Sequence, residues 1–104
     1  MINCVVIGTG NIGTDLILKL NKNKNFNLLC VFGRSNKSQG VKIARKKKIL
    51  VYINKIYLLN DLKNKIDIIF DASSAEFHAV NFKKFSNKKS IWIDLTPSGI
   101  GNVS

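Results

Sequence analysis

Five short apolar runs recur along the chain: Ile2–Ile7, Leu28–Phe32, Ile49–Ile53, Asp67–Asp71 and Ser90–Leu95. They do not alternate with polar residues, so they predict strands that are buried on both faces. Parallel strands look like this when helices cover both sides of a sheet. The stretches between them predict helices over Asn11–Asn21, Gln39–Lys48, Tyr57–Lys63 and Ser74–Phe85. In the first, Ile12, Leu16, Ile17 and Leu20 form the apolar stripe of a helix lying on a sheet. Ser73-x-x-Glu76 predicts a capping box at the start of the last. Gly33 and Gly40 punctuate the loop after the second strand, and Pro97, Gly99 and Gly101 close the pattern. Strand-helix-strand units cross over right-handed. The expected fold is therefore a doubly wound (Rossmann) α/β domain over residues 1–104, with parallel strands in the order 3-2-1-4-5.

The first strand runs directly into Gly8-Thr9-Gly10-Asn11-Ile12-Gly13, a G-x-G-x-x-G run, and a helix follows. A strand that ends in glycines and opens into a helix gathers free backbone N–H groups and the positive end of a helix dipole at one point, which suits a pyrophosphate. Gly8 permits the tight turn, Gly10 lets backbone approach the phosphate, and Gly13 lets the helix pack closely on the strand. With a strand before and an amphipathic helix after, the run predicts dinucleotide binding. The alternative is a glycine turn with no ligand.

Composition narrows the class. The chain has 104 residues, 45% of them hydrophobic, and a mean hydropathy of +0.04, as expected of one globular domain. Its apolar runs fall far short of the ~20 residues of a membrane span. Met1 leads straight into a strand, so no signal peptide is expected. Cys4 and Cys30 both sit inside apolar runs, which argues against a disulfide framework and for a reducing compartment such as the cytoplasm. The formal net charge is +11. The lysines are spread among asparagines without exposed aromatics between them, and only Arg45-Lys46-Lys47-Lys48 is dense. This reads as solvated surface rather than a nucleic-acid interface, with a general attraction for phosphorylated ligands.

The end of the second strand bears on cofactor choice. A NAD site of this type holds the adenosine ribose with an Asp or Glu about 20 residues past the glycines. Here the segment is Gly33-Arg34-Ser35-Asn36-Lys37-Ser38, and no carboxylate occurs from Leu16 through Asn60. Arg34 and Ser35 stand where a 2′-phosphate of NADP would be received. The alternative is a solvated Arg34, with Ser35 or Asn36 binding a plain ribose. The fourth and fifth strands end in Asp71-Ala72-Ser73-Ser74 and Asp94-Leu95-Thr96, at the carboxyl edge where open α/β sheets bind ligands. Small polar residues there, Ser73 among them, let the nicotinamide half approach the backbone. Asp71 reads as a loop-capping acid rather than a ligand-facing one, and His78 as a helix-face histidine satisfied by its neighbours rather than a catalytic base. Trp92 reads as core, and Cys4 and Cys30 as small buried hydrophobes.

Three blocks resemble one family. They are Gly8-Thr9-Gly10-Asn11-Ile12-Gly13-Thr14-Asp15-Leu16; Asp67 to Ala75 with His78 and Asn81; and Ile93-Asp94-Leu95-Thr96-Pro97 with Ile100-Gly101. In that order and spacing they resemble the acylating, coenzyme A-dependent acetaldehyde dehydrogenases over essentially the whole chain. The resemblance implies that Thr9, Gly10, Asn11 and Ile12 bind the dinucleotide phosphates, with NAD as working cofactor. It implies oxidation of acetaldehyde to acetyl-CoA with coenzyme A as co-substrate, beside a 4-hydroxy-2-oxovalerate aldolase that passes on the aldehyde. In that family the nucleophilic cysteine lies beyond the fifth strand, past Ser104. The expectation is therefore a dinucleotide-binding part that is inactive by itself. Two other classes stay open: a standalone nucleotide-binding or redox-sensing module, and another NAD(P) reductase such as a dihydrodipicolinate reductase relative. Asp94-Leu95-Thr96-Pro97 argues against the second.

Overall fold

A computed structural model describes residues 1–87 and 89–96. Strands β1 (Ile2–Ile7), β2 (Phe26–Gly33), β3 (Val51–Ile53), β4 (Ile68–Asp71) and β5 (Ile91–Asp94) form one sheet in the order β3-β2-β1-β4-β5, and every neighbouring pair is parallel. Helices α1 (Asn11–Lys22), α2 (Gln39–Lys46), α3 (Leu59–Leu62) and α4 (Ala75–Phe85) fill the crossovers. This is the doubly wound Rossmann arrangement expected from the sequence.

The unbroken apolar runs have a direct cause. Along β1, Val5 and Ile7 pack on one face with Cys30, Phe32, Ile69, Leu59 and Phe85. Cys4 and Val6 pack on the other face with Val31, Phe70, Ile17, Leu20 and Ala44. From Cys4 to Ile7 alternate side chains enter two different cores, so no position there is left for a polar residue. A register shift between Cys4 and Val5 pairs Cys4 with Leu28 and Val5 with Cys30. The two cysteines thus lie on adjacent strands but in opposite cores.

Boundaries moved where side chains or turns competed with the ladder. The third strand begins at Val51 rather than Ile49, because the Ile49 N–H closes the end of α2 on the Ala44 carbonyl (2.9 Å). The helix expected over Tyr57–Lys63 is a four-residue turn of α-helix flanked by 3₁₀ turns at Ile56–Leu58 and Lys63–Lys65. At α4 the cap is Ser74, not Ser73: Ser74 Oγ accepts from the Phe77 N–H at 3.1 Å. Ser73 is engaged by Asp71 instead, so the cap falls one residue later, and with Phe77 at the third helical position the expected reciprocal box does not form. Pro97, Gly99, Ile100 and Gly101 lie outside the described residues. Among the described residues, no helix is long and apolar enough to cross a membrane.

Candidate functional site

The strand order reverses between β2 and β4, on either side of β1, and a cleft of about 790 Å³ opens at the carboxyl ends of these strands. Its size is ordinary for a small-molecule site. Its floor is Gly8-Thr9-Gly10-Asn11-Ile12. Gly33 and Arg34 wall it on the β2 side, Ala72-Ser73-Ser74 and Phe77 on the β4 side. Among the described residues lining it, Arg34 is the one charged side chain.

Gly8 has φ +102°, and a Cβ there would lie 2.6 Å from the Ala72 carbonyl, so no other residue makes this turn without strain. The Gly8 N–H is held by the Phe32 carbonyl at 2.9 Å, and the Thr9 carbonyl receives the Gly40 N–H at 3.1 Å. The loop is thereby fixed before any ligand arrives. Gly13 lies buried beneath it, where a Cβ would meet the Gly8 carbonyl oxygen at 2.0 Å.

Gly10 differs from both. It is exposed, has an ordinary φ of −80°, and a Cβ there would meet nothing within 4 Å. As the residue preceding α1 it offers no side-chain oxygen, and no acid sits in that helix's first turn. The first-turn N–H groups of α1 therefore face the cleft without a partner of their own, whereas α4 is capped by Ser74 and carries Glu76. An oxyanion is the natural complement of the bare end.

Of the remaining residues singled out in the sequence, Arg34 reaches across the cleft mouth with its guanidinium carbon 5.9 Å from the Phe77 ring centroid. Ser35 is exposed and outside the lining, its Oγ accepting from the Lys37 N–H at 3.1 Å. Ser73 lines the cleft. The pattern gave no hint of Ser38, Asn54, Ile56 and Phe77, which also line it. The one available signal was Asn54, an asparagine directly after a strand. It takes φ +53°, a conformation asparagine tolerates better than most residues.

Beside the cleft, Asp71 is fully buried and gathers four donors. The Ser73 N–H (3.1 Å) and the Ser73 hydroxyl share Oδ1, while His78 Nδ1 (2.8 Å) and Trp92 Nε1 (3.2 Å) meet Oδ2. The capping reading of Asp71 and the satisfied reading of His78 are both correct. Trp92 is half-buried, its ring against the core and its N–H on Asp71. His78 Nε2 lies 3.6 Å from the Asp94 carboxylate. Desolvation pushes the Asp94 carboxyl up, but the Thr96 N–H at 2.9 Å, the Thr96 side chain and the His78 ring outweigh it and leave it below the usual range. Burial pushes the Cys4 thiol up to about 11, helped by the Asp67 charge, and the Cys30 thiol up to about 12, helped by Cys4. Neither is a thiolate near neutral pH.

Residues 3–98 match the family model "semialdehyde dehydrogenase, NAD binding domain". The chain belongs to this family. It is 38% identical over 100 residues to an acetaldehyde dehydrogenase of Bacillus thuringiensis (strain Al Hakam), covering 96% of this chain and 33% of that protein. To the acetaldehyde dehydrogenase of Burkholderia thailandensis it is 36% identical over 98 residues, covering 94% and 33%. The chain thus spans about a third of the length of the relatives it matches. Two solved structures share the fold. A C. glutamicum DAP dehydrogenase in complex with DAP has a TM-score of 0.66 and 18% identity over 95% of this chain and 28% of that one. An engineered D-amino acid dehydrogenase bound to NADP+ has a TM-score of 0.64 and 18% identity over 89% and 26%. The domain is therefore an NAD-binding oxidoreductase domain, related to acetaldehyde dehydrogenases.

Proposed function

We propose that this domain holds the nicotinamide dinucleotide of an acylating acetaldehyde dehydrogenase. The observation that carries the reading is the uncapped start of α1, with Gly10 open to a cleft at the switch point of the sheet. In this reading Gly8, Thr9, Gly10, Asn11 and Ile12 surround the pyrophosphate, and Gly13 keeps α1 close enough to present its N–H groups. Arg34 and Ser35 serve the adenosine half, and Ser73 the nicotinamide half. When bound, the dinucleotide supplies the hydride acceptor for aldehyde oxidation. The domain's own work is to bind and orient it. The remaining roles belong to the same proposal: acetaldehyde and coenzyme A as substrates, a cytoplasmic setting, and a 4-hydroxy-2-oxovalerate aldolase delivering the aldehyde. Two free, buried thiols suit a reducing compartment.

The thioester chemistry requires a thiolate, and Cys4 and Cys30 are excluded by burial. The reading assigns that group to the two-thirds of the relatives this chain does not match. Two measurements test it. The purified 104-residue polypeptide should form no NADH from acetaldehyde and coenzyme A. A fusion of residues 1–96 to the unmatched part of the Bacillus thuringiensis enzyme should form NADH. Activity of the polypeptide alone that disappears on replacing Cys4 or Cys30, or a folded fusion that binds no dinucleotide, would overturn it.

Cofactor preference follows from the β2 edge. With Arg34 the one charge among the described residues lining the cleft, and no carboxylate on the loop after β2, NADP should bind at least as well as NAD. Arg34→Asp removes the cation and supplies a ribose acceptor, so the ratio should swing toward NAD by about tenfold, the worth of one charge-assisted hydrogen bond. Titrating both cofactors into both proteins decides it. An unchanged ratio would make Arg34 a solvated bystander.

A further inference from the structure

The cleft has two chemically different ends. At the α1 end it presents donors, the first-turn N–H groups, while the Arg34 guanidinium stands at the mouth over Phe77. At the β4 end it presents Ser73, and here the buried hub matters. A serine hydroxyl has one proton and two lone pairs. The two acceptors within reach of Ser73 Oγ are the Asp71 carboxylate, in a close hydrogen bond, and the Ser74 carbonyl at 3.4 Å. The Ser73 N–H donates to the same Asp71 oxygen at 3.1 Å, which fixes the orientation. The other carboxylate oxygen is held by Trp92 Nε1 and His78 Nδ1, so Asp71 cannot turn away to release the hydroxyl.

We infer that Asp71 sets the polarity of the cleft by holding the Ser73 proton, so that Ser73 offers a ligand only lone pairs. Asp71 is a positioning residue that acts through Ser73. The β4 end then receives a hydrogen-bond donor, a sugar hydroxyl or a carboxamide NH2, and repels a phosphate oxygen. A ligand with phosphate in the middle and a donor-rich group at one end can lie in only one direction, phosphate on α1 and donor-bearing group on Ser73. The Ser73 backbone lies close against the glycine loop, its N 2.8 Å from where a Gly8 Cβ would be. The inference rests on the dinucleotide reading and adds the residue that makes Ser73 an acceptor.

The test uses the 104-residue chain titrated calorimetrically with NAD, ADP-ribose and ADP, of which ADP has no group to reach Ser73. Ser73→Ala should weaken NAD about three- to tenfold, the range for losing one hydrogen bond, and leave ADP within twofold. Asp71→Ala should do the same, since it removes the acceptor that commits the hydroxyl proton. The double variant should be no weaker than Ser73→Ala alone, because both changes act on one interaction. Ser73→Thr, which keeps the hydroxyl, should retain NAD affinity. ADP-ribose separates the two donor sources. If it weakens with NAD, the donor is a ribose hydroxyl; if it does not, the carboxamide. Emission of Trp92, the chain's one tryptophan and a partner of Asp71, reports whether the hub has stayed folded. Should Asp71→Ala unfold, Ser73→Ala against Ser73→Thr still decides. Equal losses for NAD and ADP, additive losses in the double variant, or no loss in Ser73→Ala would overturn the inference and leave the dinucleotide reading standing. Failure of the wild type to bind NAD or ADP would overturn both.

Discussion

Gly10→Val should abolish NAD binding and leave the fold almost untouched. The backbone at Gly10 is extended, φ −80° and ψ −155°, a region that suits a β-branched residue. A Cβ there would touch nothing within 4 Å, so no core contact is disturbed. The stability cost is that of replacing a glycine before a helix by an apolar residue, about 1 kcal/mol or less. The ligand meets a different surface. Two methyl groups would stand over the helix start, where a pyrophosphate oxygen must come within hydrogen-bond distance of the N–H groups. Losing two charge-assisted hydrogen bonds, each worth roughly 1.5–3 kcal/mol, weakens binding by at least about a hundredfold. Calorimetric titration with NAD, beside a thermal melt of the same sample, measures both quantities. Wild-type affinity in Gly10→Val would place the pyrophosphate somewhere other than this loop.

Much of this arrangement was legible in the sequence, and the reasons are specific. Apolar runs without alternation meant strands covered on both faces, and β1 shows why, sending Val5 and Ile7 into one core and Cys4 and Val6 into the other. The glycine run could be placed because a strand preceded it and an apolar helical stripe followed. What escaped the pattern was set by contacts between distant segments. Asn54 and Ile56 reach the cleft only because β3 lies beside β2 and its following turn folds back over the strand ends. Ser73 and Ser74 are chemically equal neighbours in the sequence. Which one caps α4 was decided by Asp71, whose buried carboxylate took the first and left the second for the helix. Asp71 in turn is held by Trp92 from β5, a partner 21 residues away that no local spacing announces.

Gly13→Ala should do the reverse of Gly10→Val, lowering stability steeply through a single methyl group. Gly13 is inside α1, where alanine ordinarily stabilises a helix by roughly 1 kcal/mol relative to glycine. Here that gain is overwhelmed. The added Cβ would lie 2.0 Å from the Gly8 carbonyl oxygen and 2.8 Å from its carbon, both backbone atoms of a loop pinned by Phe32 and by the Ala72 contact. Neither side can yield as a flexible side chain would. Either α1 lifts off the sheet, loosening Ile17 and Leu20 from their core, or the Gly8 turn deforms. Overpacking of a tight core costs typically 1–3 kcal/mol, and a clash between backbones belongs at or above the top of that range. A loss of about 3 kcal/mol lowers the melting temperature of a domain this size by roughly 10–20 °C. A thermal melt of Gly13→Ala against wild type and Gly10→Ala, the latter staying within a few degrees of wild type, makes the comparison within one motif. Equal melting temperatures for Gly13→Ala and wild type would show that α1 does not pack this closely on the loop.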